Sequence, residues 1–164
     1  MLSIVRRRGS LGLLAHSDTE ERFLRNRTEL LSQIQIAFGG MAAEELWFGE
    51  SGTGPGSDLM QATTIAATMV GALGMAGSLV SFQASGGGPL DSGLVTRVLG
   101  DERTRVEVER ILDRSKEAVR ELLDENRHLV EALRDELLVR DELVGDEITG
   151  VLEEARLAKT VADI

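Results

Sequence analysis

Few residues in this chain of 164 could take part in acid–base or metal chemistry. Its two histidines, His16 and His128, stand in unrelated segments, neither beside a carboxylate at metal-ligand spacing, and it contains no cysteine. Zinc held by this chain alone is therefore not expected, and thiol chemistry is excluded. Each histidine is most simply interpreted as an ordinary surface or core residue.

Acidic residues that stand among small residues and glycines are stronger candidates. Glu44 and Glu45 are adjacent within a predicted helix of small residues, and adjacent helical side chains point about 100° apart. One of them is therefore expected to face inward, where a carboxylate needs a partner. Asp58 follows the stretch Gly52–Ser57 at the start of an apolar helix, where a carboxylate commonly caps the first turn. That stretch lacks the Lys of a P-loop, so its match to a nucleotide-binding loop is weak.

The elements that must position these residues are mostly helical, with a small β element at the N-terminus. Residues 2–5 and 11–15 are predicted to form two short strands, or one strand and a return of the chain. The apolar spacing predicts six helices: Asp18 or Thr19 to about Phe38, Met41–Phe48, Ser57 or Asp58 to about Leu73, Glu102 to about Asn126, His128–Val139, and Asp146 to about Ala158. Gly39-Gly40 is expected to end the first helix and Gly49 the second, while residues 74–100 are expected to form a long loop.

Charge and glycine are unevenly distributed along the chain. Residues 101–157 contain 18 acidic and 10 basic residues, so they carry −8 of the formal net charge of −10. Sixteen of the 18 glycines precede residue 101. The acidic balance is unsuited to binding nucleic acid, and no run of about 18 apolar residues predicts a membrane span. We therefore expect the chain itself to be soluble.

Three blocks of sequence occur in order at compatible spacing: Phe38–Glu50, Thr53–Thr63 and Met69–Met75. They resemble the FGGRAAEE-type helix, the STGASNDL-type loop and the helix ending near YGM of the FtsH family. These are membrane-anchored AAA+ proteases with an ATP-dependent zinc metallopeptidase. The similarity extends back to residues 3–12, which resemble the family's strand segment, and forward to residues 123–148, which resemble its C-terminal helical region.

The resemblance implies a mainly α, multi-helix peptidase-type domain with a small N-terminal β element. In that family the zinc is held by two His of a His-Glu-x-x-His helix and by the Asp of the loop, which corresponds to Asp58. A Gly-rich loop at a helix start can hold such a carboxylate rigidly toward a cleft. Glu44 or Glu45 would orient a metal ligand without binding the metal. The strand region would lie beside the cleft, where an edge strand can pair with an extended substrate.

The resemblance also implies a division of the chain and a set of partners. Residues 1–100 would form an incomplete peptidase core, and residues 101–164 the acidic helical region of the same domain. The family degrades unfolded or membrane polypeptides as a homo-hexamer on the cytoplasmic side of a membrane. It uses ATP through a separate ATPase module, which this chain lacks.

The chain departs from the family pattern in ways that bear on activity. No His-Glu-x-x-His motif occurs in it, so no residue here is predicted as the catalytic general base. Met41 stands where the family has Arg, which removes a charge partner for Glu44 or Glu45. We therefore expect the isolated chain to be inactive, as a fragment of a longer protease. The alternatives are a non-catalytic pseudo-peptidase that serves as an oligomerisation or adaptor module, and a helical domain that matches the motifs by coincidence.

Overall fold

The computed structural model describes residues 1–6, 12–14, 24–85 and 93–162. Its contacts divide the chain into a central unit, residues 23–124, and a terminal unit, residues 1–22 together with 125–164. The central unit contains α1 (Arg27–Phe48), α2 (Gly56–Gly71), a 3-10 turn (Phe82–Ser85), α3 (Gly93–Gly100) and α4 (Glu102–Glu125), whose last residue already belongs to the terminal unit. The terminal unit contains β1 (Leu2–Ser3), β2 (Leu13–Leu14), α5 (Arg127–Arg140), β3 (Glu142–Leu143) and α6 (Asp146–Ala162).

The predicted fold class, mainly α with a small β element near the N-terminus, is confirmed. The division of the chain at residue 100 into peptidase core and acidic helical region stays a prediction.

The core of the central unit is built from small apolar side chains. As its composition predicts, α2 is buried over much of its surface, with Ala62, Ala66 and Ala67 fully enclosed. Gly71 ends α2 where a Cβ would overlap the side chain of Val98. A residue without a side chain is therefore needed there for α2 and α3 to pack this closely.

Helix α1 is one continuous helix, and the predicted break at Gly39-Gly40 is wrong. Glycine within a helix costs roughly 1 kcal/mol relative to Ala. Burial of a side chain such as Phe38 contributes about 1.5–3 kcal/mol, and Ala42 on the next turn is buried as well. Packing on both sides of the pair therefore outweighs its weak helical preference. Gly49 ends the helix as predicted, with a φ of 82° and its N–H bonded to the carbonyl of Glu45.

Two further expectations fail in the central unit. The first helix was expected to begin at residue 18 or 19, which lies outside the described residues; helix α1 begins only at Arg27, after the cap Asn26. The long loop predicted over residues 74–100 is interrupted by the 3-10 turn and by α3. Leu94 and Val98 of α3 are buried, so tertiary packing stabilises a helix in a stretch whose glycines indicate a loop. Residues 86–92 of that prediction lie outside the described part.

The terminal unit contains a three-stranded antiparallel sheet in the order β2-β1-β3. Leu2 pairs with Leu14 on one side and with Leu143 on the other, so the two predicted strands are confirmed. Strand β3 was not predicted, because its two residues do not belong to an apolar run and stand between the charged helices α5 and α6. The buried Ser3 ties the sheet together by donating from its Oγ to Oε1 of Glu142 at 2.7 Å.

The charged helices were predicted with near-correct bounds. Helix α4 ends at Glu125 and α5 begins at Arg127. Asn126 separates them, as predicted from its position between two runs of periodic apolar residues. Helix α6 begins at Asp146 as predicted and runs four residues beyond Ala158. Leu122 of α4 is 58% exposed, although its position continues the apolar spacing of the helix.

Candidate functional site

Asp58 lies in the first turn of α2, three residues after Pro55. Pro55 occupies the N-cap position, and no side chain there makes a capping hydrogen bond. The Pro55 carbonyl accepts from the N–H of Leu59 at 2.9 Å. The prediction that Ser57 or Asp58 caps the helix is therefore wrong, because both residues already lie inside it and the fixed φ of proline starts the helix one turn earlier.

The carboxylate of Asp58 is left available to a partner. Its side chain is half-buried, and the residues around it that the structure describes offer it neither a hydrogen bond nor an ion pair. The N–H groups of a first helical turn favour a negative group at this position. Position and chemistry therefore suit a ligand to a cation.

Glu44 holds the loop that leads to Asp58. Its Oε2 accepts a hydrogen bond from the N–H of Gly52 at 2.5 Å. A Cβ on Gly52 or Gly54 would approach the carboxylate oxygens of Glu44 to 3.5 and 3.9 Å, respectively. Further along the loop, Pro55 is buried although the residues on either side are exposed. The loop is thus fixed at both ends, by a charge-assisted hydrogen bond and by a packed proline ring.

Glu45 has a different partner. Its Oε1 forms an ion pair with Nζ of Lys116 on α4 at 2.7 Å, across 71 residues of sequence. Both side chains are about one-third exposed, so the pair contributes about 1 kcal/mol or less to stability. One of the two adjacent acids was expected to need a partner, and both have one. Met41, where the family has Arg, is part of the apolar packing instead.

The described residues do not by themselves fit a zinc ion. Across the described ranges, no three His, Cys, Asp or Glu side chains lie close enough together to hold a metal, whereas a catalytic zinc has three protein ligands. His128 is a half-buried residue of α5, and His16 lies outside the described residues. The role of Asp58 as a metal ligand therefore stays a prediction.

Carboxyl groups with a lowered pKa lie at the starts of other helices. The backbone N–H of Thr104 donates to Asp101 at 3.0 Å and lowers the pKa of that carboxyl. The N–H of Val144, and after it the guanidinium of Arg140, lower the pKa of Glu147 in the first turn of α6. Both groups are bonded within the chain, so they stabilise helix starts and are not free to bind a ligand.

Comparison with known proteins assigns this chain to a family. The model of peptidase family M41 matches residues 1–151. The chain belongs to peptidase family M41. The resemblance to FtsH-family peptidase domains is thereby confirmed.

Relatives named as ATP-dependent zinc metalloproteases match between about half and nearly all of this chain. FtsH 1 of Methylacidiphilum infernorum is 33% identical over 162 residues, which are 94% of this chain and 26% of the relative. FtsH of Methylococcus capsulatus is 34% identical over 167 residues, covering 93% and 25%. FtsH of Pelodictyon phaeoclathratiforme is 46% identical over 78 residues, covering 48% and 12%. The chain spans about a quarter of the length of the first two.

Several features of the candidate site were not found by sequence reasoning. Gly52 and Lys116, the partners of the two adjacent acids, carry no local signal because they lie 8 and 71 residues away from them. The burial of Pro55 is equally a product of tertiary packing. Among the helices that the structure describes, none combines the length and apolarity needed to cross a bilayer.

Proposed function

We propose that this chain supplies one side of the active site of an ATP-dependent zinc metalloendopeptidase of FtsH type. The observation that carries the proposal is the Asp58 carboxylate. It stands in the first turn of α2 without a partner among the described residues, on a loop that Glu44 fixes. Membership of family M41 and the names of the relatives support the reaction class.

In this proposal Asp58 is the third zinc ligand, and two histidines and the general base come from a His-Glu-x-x-His helix that this sequence does not contain. Zinc in such an enzyme acts as a Lewis acid toward water and the peptide carbonyl. The chain's own contribution is to hold the carboxylate of Asp58 still. Glu44 does this by accepting the Gly52 N–H, so it positions the loop without binding the metal.

The wider activity follows the same resemblance. We propose degradation of unfolded or membrane polypeptides by a homo-hexamer at the cytoplasmic side of a membrane, with ATP used by a separate ATPase module. The isolated chain is proposed to be inactive. Incubation of the purified 164-residue chain with casein and zinc tests this, and stoichiometric zinc binding together with hydrolysis would refute it.

The role of Asp58 is tested in a full-length hybrid in which residues 1–151 replace the matching segment of the Methylococcus capsulatus relative. Asp58→Ala is expected to weaken zinc binding by more than about 100-fold, the upper range for groups that merely support a ligand. Casein hydrolysis is expected to be lost with the metal. Asp113→Ala, an exposed acid on α4, is the matched control and should change neither quantity. Unchanged zinc content in the Asp58 variant would show that this residue is not a ligand.

The alternative is a non-catalytic pseudo-peptidase that serves as an oligomerisation or adaptor module. It is favoured by one observation, that no three potential ligands come together in the described part of the chain. The same hybrid separates the two functions. A folded hybrid with intact ATPase activity but no zinc and no hydrolysis would support the non-catalytic module.

A further inference from the structure

A groove of about 1070 Å³ lies within the central unit, along the first half of α4. Its other walls come from α1, from the end of α2 and from the segment 75–82. Small-molecule pockets have volumes of roughly 300–1,000 Å³, so this groove is large enough for a segment of polypeptide. It is separate from the Asp58 carboxylate, which does not line it.

The floor of the groove is apolar. Val70 and Ile111 are buried there, and Leu31, Met75 and Phe82 are partly buried around them. At the edge of the groove, Val80 is 69% and Val106 is 41% exposed. Apolar area therefore remains uncovered along the groove and would be removed from water by an apolar ligand.

The charges that line the groove are opposite in sign to those of the chain as a whole. Four arginines line it, Arg27, Arg103, Arg110 and Arg114, against three acids, Asp101, Glu102 and Glu107. The formal charge of the chain is −10. A groove with a positive excess on so acidic a chain indicates a ligand with carboxylates, because an acidic segment would be repelled by most of the remaining surface.

The acids of the groove are already bonded within the chain. Asp101 accepts from the N–H of Thr104 at 3.0 Å. Glu102 pairs with Arg105 at 2.8 Å, and Glu107 pairs with Arg110 at 3.2 Å. Glu102 and Glu107 are thus paired with arginines, whereas Asp101 keeps its charge. Because Arg110 is used in one of these pairs, the lining keeps Arg27, Arg103 and Arg114 against Asp101, which is still a positive excess.

The arginines of α4 that line the groove lie along one side of the helix. Arg103, Glu107, Arg110 and Arg114 follow one another at intervals of four, three and four residues, which places them on one face of the helix. Arg114 has no ion pair or hydrogen bond with any residue in the described part of the chain. At 1.5 Å per residue, Arg103 and Arg114 stand about 16 Å apart along the helix axis.

We propose that this groove docks an extended acidic peptide segment of another protein, in which two carboxylates about five residues apart flank apolar side chains. An extended chain rises about 3.3 Å per residue, so five residues match the separation of Arg103 and Arg114. The carboxylates bind the two guanidinium groups, and the apolar side chains between them cover Val80, Val106 and the floor. The proposal is independent of the zinc site, because it requires neither metal nor hydrolysis.

The test is fluorescence polarisation of a labelled ten-residue peptide with two glutamates five positions apart and Leu, Val and Phe between them, titrated with the purified chain. Arg114→Glu and Arg103→Glu are expected to weaken binding by about tenfold each, as is replacement of either peptide glutamate by Lys. Arg120→Glu, an exposed residue of α4 that does not line the groove, is the matched charge control and should bind normally. Added salt should weaken binding by the original chain, because exposed charges are screened.

The apolar contacts of the peptide are tested by a separate pair of variants, one inside the groove and one beside it. Val80→Ser should weaken binding, whereas Leu79→Ser should not, although Leu79 is 95% exposed and adjacent, because it does not line the groove. Circular dichroism confirms that each variant is folded, and the peptide substitutions do not depend on protein folding at all. Absence of binding, equal binding of the lysine peptide, or an equal loss in Arg120→Glu would overturn the proposal. So would self-association of the chain that Arg114→Glu abolishes, since the occupant would then be a second copy.

Discussion

Helices α1 and α2 belong to the same unit but begin in opposite ways. At the start of α1, Oδ1 of Asn26 accepts from the N–H of Glu29 at 3.0 Å, and Oε2 of Glu29 accepts from the N–H of Asn26 at 2.7 Å. This reciprocal pair is a capping box. At the start of α2 no side chain caps the helix, and the acid of the first turn, Asp58, has no partner among the residues described around it.

The difference separates a helix start that serves stability from one for which we propose a ligand. The polar groups at the start of α1 are hydrogen-bonded to one another, so this start stabilises the helix and needs no ligand. The loop before α2 is held by the hydrogen bond to Glu44 and by the burial of Pro55. The carboxylate of Asp58, which follows the loop, takes no part in these contacts. Places where local rules of helix formation are set aside are commonly functional sites, so this contrast supports the choice of Asp58, which was made from its residue type and the family motif.

The largest expected effect is at the capped start. Asn26→Ala removes the hydrogen bond from the N–H of Glu29 to the Asn26 side chain, while the backbone N–H of residue 26 can still donate to Glu29. The substitution is expected to lower the free energy of unfolding by about 1 kcal/mol. Ser57→Ala in the first turn of α2 should change it by less than about 0.5 kcal/mol, since exposed positions without a cap contribute little. Urea unfolding followed by circular dichroism measures both. Equal losses at the two starts would contradict the contrast.

The second prediction concerns the stability of the loop before α2, which Glu44 holds through the N–H of Gly52. Glu44→Gln keeps an acceptor oxygen but removes the charge that strengthens the bond to the Gly52 N–H, so that bond should weaken by about 0.5–1 kcal/mol. Hydrogen exchange of the Gly52 amide should accelerate several-fold. Glu45→Gln is the matched control, because it loosens the contact with Lys116 and leaves Gly52 untouched. Acceleration at Gly52 in both variants, or in neither, would show that Glu44 does not fix the loop.

The sequence carried most of the information about the helices that contain charged residues. Periodic apolar residues and Asn126 located α4 and α5, because an amphipathic helix is specified by its own residues. The break predicted at Gly39-Gly40 was wrong because the buried neighbours Phe38 and Ala42, not the glycines, decide the conformation. Helix α3 was missed for the same reason: its helical state depends on packing against α2.

For the candidate site, the sequence could identify residues but not their partners. Glu44, Glu45 and Asp58 were selected from their residue types and from the family motif. The hydrogen bond to Gly52 and the ion pair with Lys116 depend on how α1 meets the loop and α4. Such contacts depend on three-dimensional packing, and no periodic pattern in the sequence predicts them.

The smallest expected effect concerns the start of α4, which is capped by an acid in the way that α2 is not. The N–H of Thr104 lowers the pKa of Asp101 in the folded chain, so this carboxylate stabilises the fold above its unfolded pKa of about 3.9. That stabilisation is lost as the pH falls through the lower folded pKa.

Asp101→Asn retains a capping oxygen but no longer titrates, so it isolates this pH dependence. The difference in unfolding free energy between the original chain and the variant should be constant from pH 7 to about 5 and should shrink in favour of the variant below about pH 4. Urea unfolding at pH 7, 5, 4 and 3 measures this, and NMR titration of the Asp101 carboxyl gives its pKa directly. The change will be small because the group is exposed to solvent. A difference that stays constant down to pH 3 would mean that the cap at α4 works without its charge, and the contrast with the uncapped α2 would then rest on hydrogen bonding alone.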